Sequence, residues 1–387
     1  MTGIVTYTLE ITKCLVSTRG NSYDYEGQVF DFMGRNQAVT SVQSYFSDVS
    51  ASSKDTGNNL LIRVCKLFPL GAYIRAGALS RILSYQQLLH SKATTTVFFN
   101  YLRPNRVKGE TIITVYDMVS ERFPDTMDKT NRRLLHRFLL KSCRKASAII
   151  TISEFSKQEI VDCLGIPPAK IHVAPCGIDN KVYFPIKDHG EEIAAANYLK
   201  EKYKLSSPYI LYLGTLEPRK NVDVILDAFL LLHTRFPELR LVICGGLGWK
   251  YESTLERITS LGMDEFVIRT GYVSESDKRI FYIGAEAFVF PSIYEGFGLP
   301  VAEAMACGTP VICSNSSSLP EVAGNAGILC DPNDAKSFAA AVEQIITDRA
   351  LREELKQRMK SQIQSYTWER AAKVYSQVIA DVVKSHG

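Results

Sequence analysis

Two glutamates eight residues apart bracket Glu295-Gly-Phe-Gly-Leu-Pro-Val-Ala-Glu303, and they are the best-placed reactive groups in the chain. Upstream, Ala287-Phe-Val-Phe290 has the unbroken apolar composition of a buried strand, and residues 291–298 are rich in turn formers. Leu299 to Ala306 reads as the start of a helix, with Pro300 in the first turn, where a missing N–H costs nothing. With Gly296 and Gly298 just ahead, such a helix start presents backbone N–H groups and a positive dipole end that suit a diphosphate. Glu295 precedes that nest, and Glu303 is expected about two helical turns inside it. One carboxylate can then face a sugar while the other accepts hydrogen bonds from a ribose diol. A glycine-punctuated loop that only packs a strand onto a helix, with Glu303 on a solvated face, is the competing explanation.

A second segment, Tyr209-Ile-Leu-Tyr-Leu-Gly-Thr-Leu-Glu-Pro-Arg-Lys-Asn221, reads as a buried strand, then a tight turn with adjacent cations, then an amphipathic helix over residues 222–235. In parallel α/β sheets ligands sit beyond the carboxyl ends of strands, and both segments place their polar residues there. Arg219 and Lys220 are the natural counter-charges to a diphosphate, the alternative being an exposed basic turn.

The elements that must position these groups alternate strand with helix in both halves, which implies parallel sheets. Strands are expected at 96–99, 111–115, 148–151 and 170–174 in the first half. In the second they fall at 209–213, 240–244, 266–269, 287–290, 310–313 and 327–330, six in all. The expected division is a first domain over 1–186, a connector over 187–207, a second domain over 208–365 and a final helical segment over 366–387. A chain of 387 residues with 46% hydrophobic and 22% charged residues exceeds one ordinary core and has a soluble globular balance.

The net charge of +4 is unevenly spread: Lys and Arg outnumber Asp and Glu by 23 to 15 through Pro185 and trail them by 22 to 26 beyond it. The most basic segment, Asn131-Arg-Arg-Leu-Leu-His-Arg-Phe-Leu-Leu-Lys-Ser-Cys-Arg-Lys145, fits a solvated helix packed on a core and also a helix lying on an anionic membrane. No nucleic-acid recognition motif accompanies the charge. Nine cysteines without a C-x-x-C pair, among them Cys14, Cys65, Cys244 and Cys330, read as reduced thiols of a cytoplasmic protein. No apolar run approaches the ~20 residues of a membrane helix, so any membrane contact is expected to be peripheral, at the inner face of the plasma membrane.

Taken together, the E-x7-E of Glu295 and Glu303, the following Ala304-Met-Ala-Cys-Gly-Thr-Pro-Val311, Ser316-Ser-Ser-Leu-Pro-Glu-Val322 and Gly214-Thr-Leu-Glu-Pro-Arg-Lys-Asn221 resemble family 4 of the retaining, nucleotide-sugar-dependent glycosyltransferases. Thr114-Val-Tyr-Asp-Met118 with Arg122-Phe-Pro124, Ile152-Ser-Glu-Phe-Ser-Lys157 and Pro175-Cys-Gly-Ile-Asp179 extend the likeness over almost the whole chain. The resemblance implies a GT-B fold: two Rossmann-like α/β domains facing a cleft, with the last helix, after Trp368, returning to the first. It also implies Glu295 on donor-sugar hydroxyls, Glu303 on the ribose, Arg219, Lys220, Gly298 and Leu299 on the phosphates, and the Val273 backbone on the base. The basic first half would face the acceptor. No Asp-x-Asp occurs, so metal independence is expected, with no cofactor beyond the donor itself.

The first domain departs from the family pattern twice. Tyr116 stands where many relatives carry His, and a phenol, with an ordinary pKa near ~10, is no base at neutral pH. Asp117 is then the expected polar residue of that site, as base or positioning group, against the reading that it only satisfies loop N–H groups. The chain also opens on what resembles the glycine turn, with Gly3 near the donor phosphates, and the helix after it. A first strand is thus expected to be missing, leaving strand edges unpaired.

The leading expectation is a hexosyltransferase of surface polysaccharide synthesis, favouring mannose from GDP-mannose and a saccharide or polyprenyl-diphosphate-linked acceptor. The alternatives are a sugar-nucleotide epimerase or phosphorylase of the same architecture, and a decayed transferase that only binds nucleotide.

Overall fold

The computed structural model describes residues 3–17, 24–30, 59–65, 95–99, 107, 109–124 and 129–385, with side chains from residue 6 onward except at 16–17, 24–30, 59–65 and 129–135. Met1 and Thr2, part of the expected glycine turn, lie outside them, as does the Cys65 side chain. The chain divides into two compact units, Met1–Gly177 with Trp368–Gly387, and Ile178–Thr367.

The first unit runs α1 (Gly3–Ser17), β1 (Asp24–Phe30), β2 (Asn59–Cys65), β3 (Thr95–Phe98), β4 (Glu110–Thr114), α2 (Val119–Arg122), α3 (Lys129–Lys145), β5 (Ala148–Thr151), α4 (Glu154–Leu164) and β6 (Ile171–Val173). Its six strands pair in parallel and in sequential order from β1 to β6. The unpaired edges expected from a missing first strand do not occur inside this sheet, because β2 pairs with β1 on one side and β3 on the other, as buried N–H and C=O groups require.

Strands β3 and β5 are buried along their whole length, so their Thr, Val and Ile side chains pack on both faces. The carboxy-terminal helix, Trp368–Lys384, belongs to this unit and packs beside α1. Their contact is aromatic: the Tyr7 ring meets Tyr116, Trp368 and Tyr375, and the Tyr375 hydroxyl lies 2.8 Å from Thr114 Oγ1.

The second unit holds α5 (His189–Tyr203), β7 (Tyr209–Leu213), α6 (Val222–His233), β8 (Arg240–Cys244), α7 (Glu252–Ser260), β9 (Val267–Gly271) and α8 (Glu275–Gly284). It continues through β10 (Ala287–Phe290), α9 (Leu299–Ala306), β11 (Val311–Ser314), α10 (Leu319–Ala323), β12 (Ile328–Cys330), α11 (Ala335–Thr347) and α12 (Arg349–Ile363). Residues 187–207 are mostly α5, capped by the Asp188 carboxylate on the Glu191 N–H at 2.9 Å.

The parallel order is β12-β11-β10-β7-β8-β9. The chain steps outward from β7 to β9, then returns to β10 on the other side of β7. The order therefore reverses between β7 and β10, the place where sheets of this kind bind ligands beyond the carboxyl ends of their strands. Both segments singled out in the sequence, residues 214–221 and 291–298, are the loops leaving those two strands.

Candidate active site

The two loops meet on one carboxylate. Glu295 is only 8% exposed, yet Lys220 Nζ reaches its Oε1 at 2.5 Å, Arg219 Nη1 its Oε2 at 3.3 Å, and Ser292 Oγ donates to Oε1 at 2.6 Å. Backbone bonds hold it as firmly: its N–H donates to Ser317 Oγ at 3.0 Å and its carbonyl accepts from Ser318 Oγ at 3.0 Å. Burial by itself would raise the Glu295 pKa, but Lys220 and Arg219 beside it, with the Ser292 hydroxyl, hold it below the ordinary carboxylate value.

The cations are fixed in turn. Arg219 also binds the Glu217 carboxylate and the Tyr294 carbonyl, and Lys220 lies 5.2 Å over the Phe290 ring. Asn221 ends the turn in the left-handed region, φ 56°, and its Nδ2 ties the turn to the loop after β12 through the Pro332 carbonyl at 2.6 Å and to the loop after β10 through the Pro291 carbonyl at 3.2 Å. Arg219 and Lys220, expected as a pair of cations for a diphosphate, are engaged by Glu295 and Glu217.

Gly298 enters α9 at φ 98°, a conformation that favours glycine, and an added Cβ would come 2.6 Å from Leu319 Cδ2. Leu299 is the first helical residue. Glu303 is the fifth, so it stands little more than one turn inside the helix rather than two, because Leu299 itself opens the helix. It faces α8: Tyr282 Oη donates to its Oε2 at 3.0 Å. Its pKa is pushed up to about 7, first by burial, with Lys278 opposing and Glu275 adding to the rise.

Val273 follows β9 with its side chain buried. Beside it, a cavity of about 600 Å³ runs along β9, lined by Asp264, Val267 and Arg269 as well as by Leu216, Gly246, Leu247 and Tyr272 near the carboxyl ends of β8 and β9. The loops after β7 and β8 touch here: a Cβ on Gly245 would lie 2.0 Å from the Gly214 carbonyl oxygen, so only glycine lets them meet.

Gly3 and Asp117 lie in the first unit. Gly3 is the first residue of α1. Asp117 Oδ1 accepts the Val119 N–H at 3.0 Å, the turn-satisfying bond of the plainer reading. Tyr116 donates to the Phe99 carbonyl at 3.0 Å, and burial keeps its phenol protonated far above neutral pH.

Glu217, Ser292, Glu275, Lys278, Tyr183 and Tyr282 went unnoticed in the sequence. Only Glu217, inside a recognised motif, carried a signal; Ser317 and Ser318 sat in a recognised motif without a role. Among the described residues no group of His, Cys, Asp and Glu gathers at metal-binding spacing, the eight cysteines with described side chains are free, and no helix is long and apolar enough to cross a membrane.

A family profile described as Glycosyl transferases group 1 matches residues 197–362, and one described as Glycosyltransferase Family 4 matches residues 59–182. The chain is 36% identical over 276 residues to O-antigen chain mannosyltransferase B of Escherichia coli, covering 70% of each protein. It is 30% identical over 285 residues to the serotype-specific mannosyltransferase WbdA of Escherichia coli, covering 69% of this chain and 33% of that one. Among solved structures its fold is similar to Anabaena HepE in complex with UDP-glucose, with a TM-score of 0.71 at 15% identity over 98% of this chain and 96% of that one. The chain belongs to glycosyltransferase family 4, the glycosyl transferases group 1, and has the two parallel-sheet α/β units of the GT-B fold.

Proposed function

We propose that the protein is a retaining, metal-independent hexosyltransferase that moves mannose from GDP-mannose to a saccharide or lipid-linked saccharide acceptor in the synthesis of a surface polysaccharide. The observation that carries this is the meeting of Lys220 and Arg219 on the buried Glu295, next to the start of α9 and at the point where the strand order reverses. The named activity of the similar mannosyltransferases supports mannose as the sugar, and GDP-mannose is proposed as its activated form.

In the reaction the bond between the sugar's anomeric carbon and the phosphate oxygen breaks, and negative charge builds on the departing nucleoside diphosphate. Lys220, Arg219 and the N–H groups at the start of α9 stabilise that charge, which is the largest contribution a fixed site can make. The acceptor hydroxyl attacks the same face of the anomeric carbon, and its proton passes to the leaving phosphate oxygen, so no protein base is required. Asp117 orients the acceptor side rather than removing a proton. Glu295 gives up part of its hold on the two cations and accepts hydroxyls of the sugar, while Glu303 accepts the ribose diol and the cavity beside Val273 takes the base.

The test begins with thermal-shift measurements against GDP, UDP, ADP and CMP with EDTA present throughout. Selective stabilisation by GDP, followed by turnover of GDP-mannose into an α-linked product as read by NMR, is the expected result. A shift by UDP alone would overturn the mannose reading, and a requirement for added divalent metal would overturn the metal-free one.

A further inference from the structure

Glu303 is surrounded by groups that the reaction above does not use. From α8 it is faced by Glu275, Lys278 and Tyr282, from the segment ahead of α5 by Tyr183, and from the end of its own helix by Cys307. Tyr183 Oη donates to Glu275 Oε2 at 2.9 Å and is also in hydrogen-bonding reach of Glu303. A phenol has one proton to give. The two carboxylates therefore compete for that one proton, and Glu275 holds it in the structure.

Burial and the neighbouring Glu275 charge favour a neutral Glu303, while the Tyr282 and Tyr183 hydroxyls favour its charged form. Lys278 is the cation that opposes burial and Glu275. Its side chain is 16% exposed, its Nζ lies 2.8 Å from Glu275 Oε1, and both carboxylates raise its own proton affinity against the effect of burial. The Cys307 thiol is kept protonated by burial and adds no charge of its own.

We propose that Lys278 is a positioning residue for nucleotide binding, acting through Glu303 by keeping that carboxylate charged so that it can accept both hydroxyls of a ribose diol. The inference rests on the reading of Glu303 as the ribose ligand. An ionised carboxylate only accepts, whereas a protonated one must direct its own O–H somewhere and meets a diol poorly. Lys278 need not touch the nucleotide: its effect is to set the charge of the group that does.

The experiment compares dissociation constants for GDP and 2′,3′-dideoxy-GDP, with the UDP pair in parallel, between about pH 6 and about pH 9. Both members of a pair carry the same titrating diphosphate, so the ratio isolates the diol. In the wild type the preference for the ribonucleotide should grow about tenfold across neutral pH and then level off.

K278M should move that rise upward by about one pH unit or more and reduce the preference near neutrality about tenfold. K278R should restore it, and E275Q, which removes the competing charge, should move the rise downward. K278Q is the second neutral variant should K278M fail to fold. Profiles for K278M or K278Q that superimpose on the wild type, with nucleotide still bound, overturn the role of Lys278. A wild type that does not distinguish ribose from dideoxyribose at any pH rejects instead the assignment of Glu303 to the ribose.

Discussion

Glu295 and Glu303 share a residue type and a motif, and their surroundings drive their protons in opposite directions. Glu295 lies where two loops bring Lys220 and Arg219 onto it, and it is held charged below the ordinary carboxylate value although it is buried. Glu303 lies between helices α8 and α9, receives one phenol hydrogen bond, shares its surroundings with Glu275, and keeps its proton up to about 7. Burial raises both. The difference is the distance to a cation: Lys220 touches Glu295, whereas Lys278 makes its closest ion pair with Glu275 and acts on Glu303 only from beyond it. The same residue type thus carries a settled charge at one end of the motif and a charge poised near neutrality at the other.

The comparison breaks most visibly at Lys220. Lys220→Ala leaves a buried carboxylate with the Ser292 hydroxyl at 2.6 Å and Arg219 at 3.3 Å. Expected effects are a ~3 kcal/mol fall in stability in urea titration and a ~100-fold or greater loss of turnover in steady-state assays. Near-normal turnover would remove Lys220 from charge stabilisation.

Glu303→Ala is expected to weaken nucleotide diphosphate binding by ~1.5–3 kcal/mol in calorimetric titration, the range for hydrogen bonds to a charged group. Unchanged affinity would sink the ribose assignment.

The opposite proton affinities predict opposite dependences of stability on pH. For Glu303, whose folded value is raised from 4.5 to about 7, the fold favours the neutral form, so its contribution is complete below the unfolded value and is lost as pH rises toward 7. Glu303→Gln, neutral throughout, should therefore leave the melting temperature unchanged near pH ~4 and stabilise the protein by ~1–3 kcal/mol near pH ~8. For Glu295, whose folded value is lowered, the contribution is present above the unfolded value and lost as pH falls through the folded one, so Glu295→Gln should be most destabilising at neutral and alkaline pH.

The smallest effect belongs to an ion pair of the same chemistry placed in solvent. Arg235 binds Glu343 with its side chain 61% exposed, and Arg235→Ala should change stability by no more than ~1 kcal/mol in the same titrations. A loss as large as that of Lys220→Ala would mean that burial does not set the scale.

Much of the second unit was legible because its signals are local. Apolar runs such as Tyr209–Leu213 and Ala287–Phe290 are buried at every position, and Pro300 with Gly298 marks the start of α9. Strand ends moved by a residue or two, as in Val267–Gly271, because Gly271 pairs with Cys244 of β8 past a bulge at Thr270 that no composition signals. In the first unit, β1 and β2 were not among the expected strands, and their pairing was not readable, since which strand pairs with which is a contest among distant segments.

The sequence by itself singled out the residues proposed to carry the chemistry: Glu295, Glu303, Arg219 and Lys220 follow from residue type, spacing and the ends of local elements. Tertiary structure alone decided how they are charged and what they hold. Lys220 and Glu295 are seventy-five residues apart and meet only because β7 and β10 are neighbours at the reversal of the sheet. Glu275 and Tyr183, also distant in the chain, come together around Glu303 in the same way. The physical reason is that a proton's affinity depends on charges and solvent within a few ångströms, and that neighbourhood is assembled by packing rather than by adjacency along the chain.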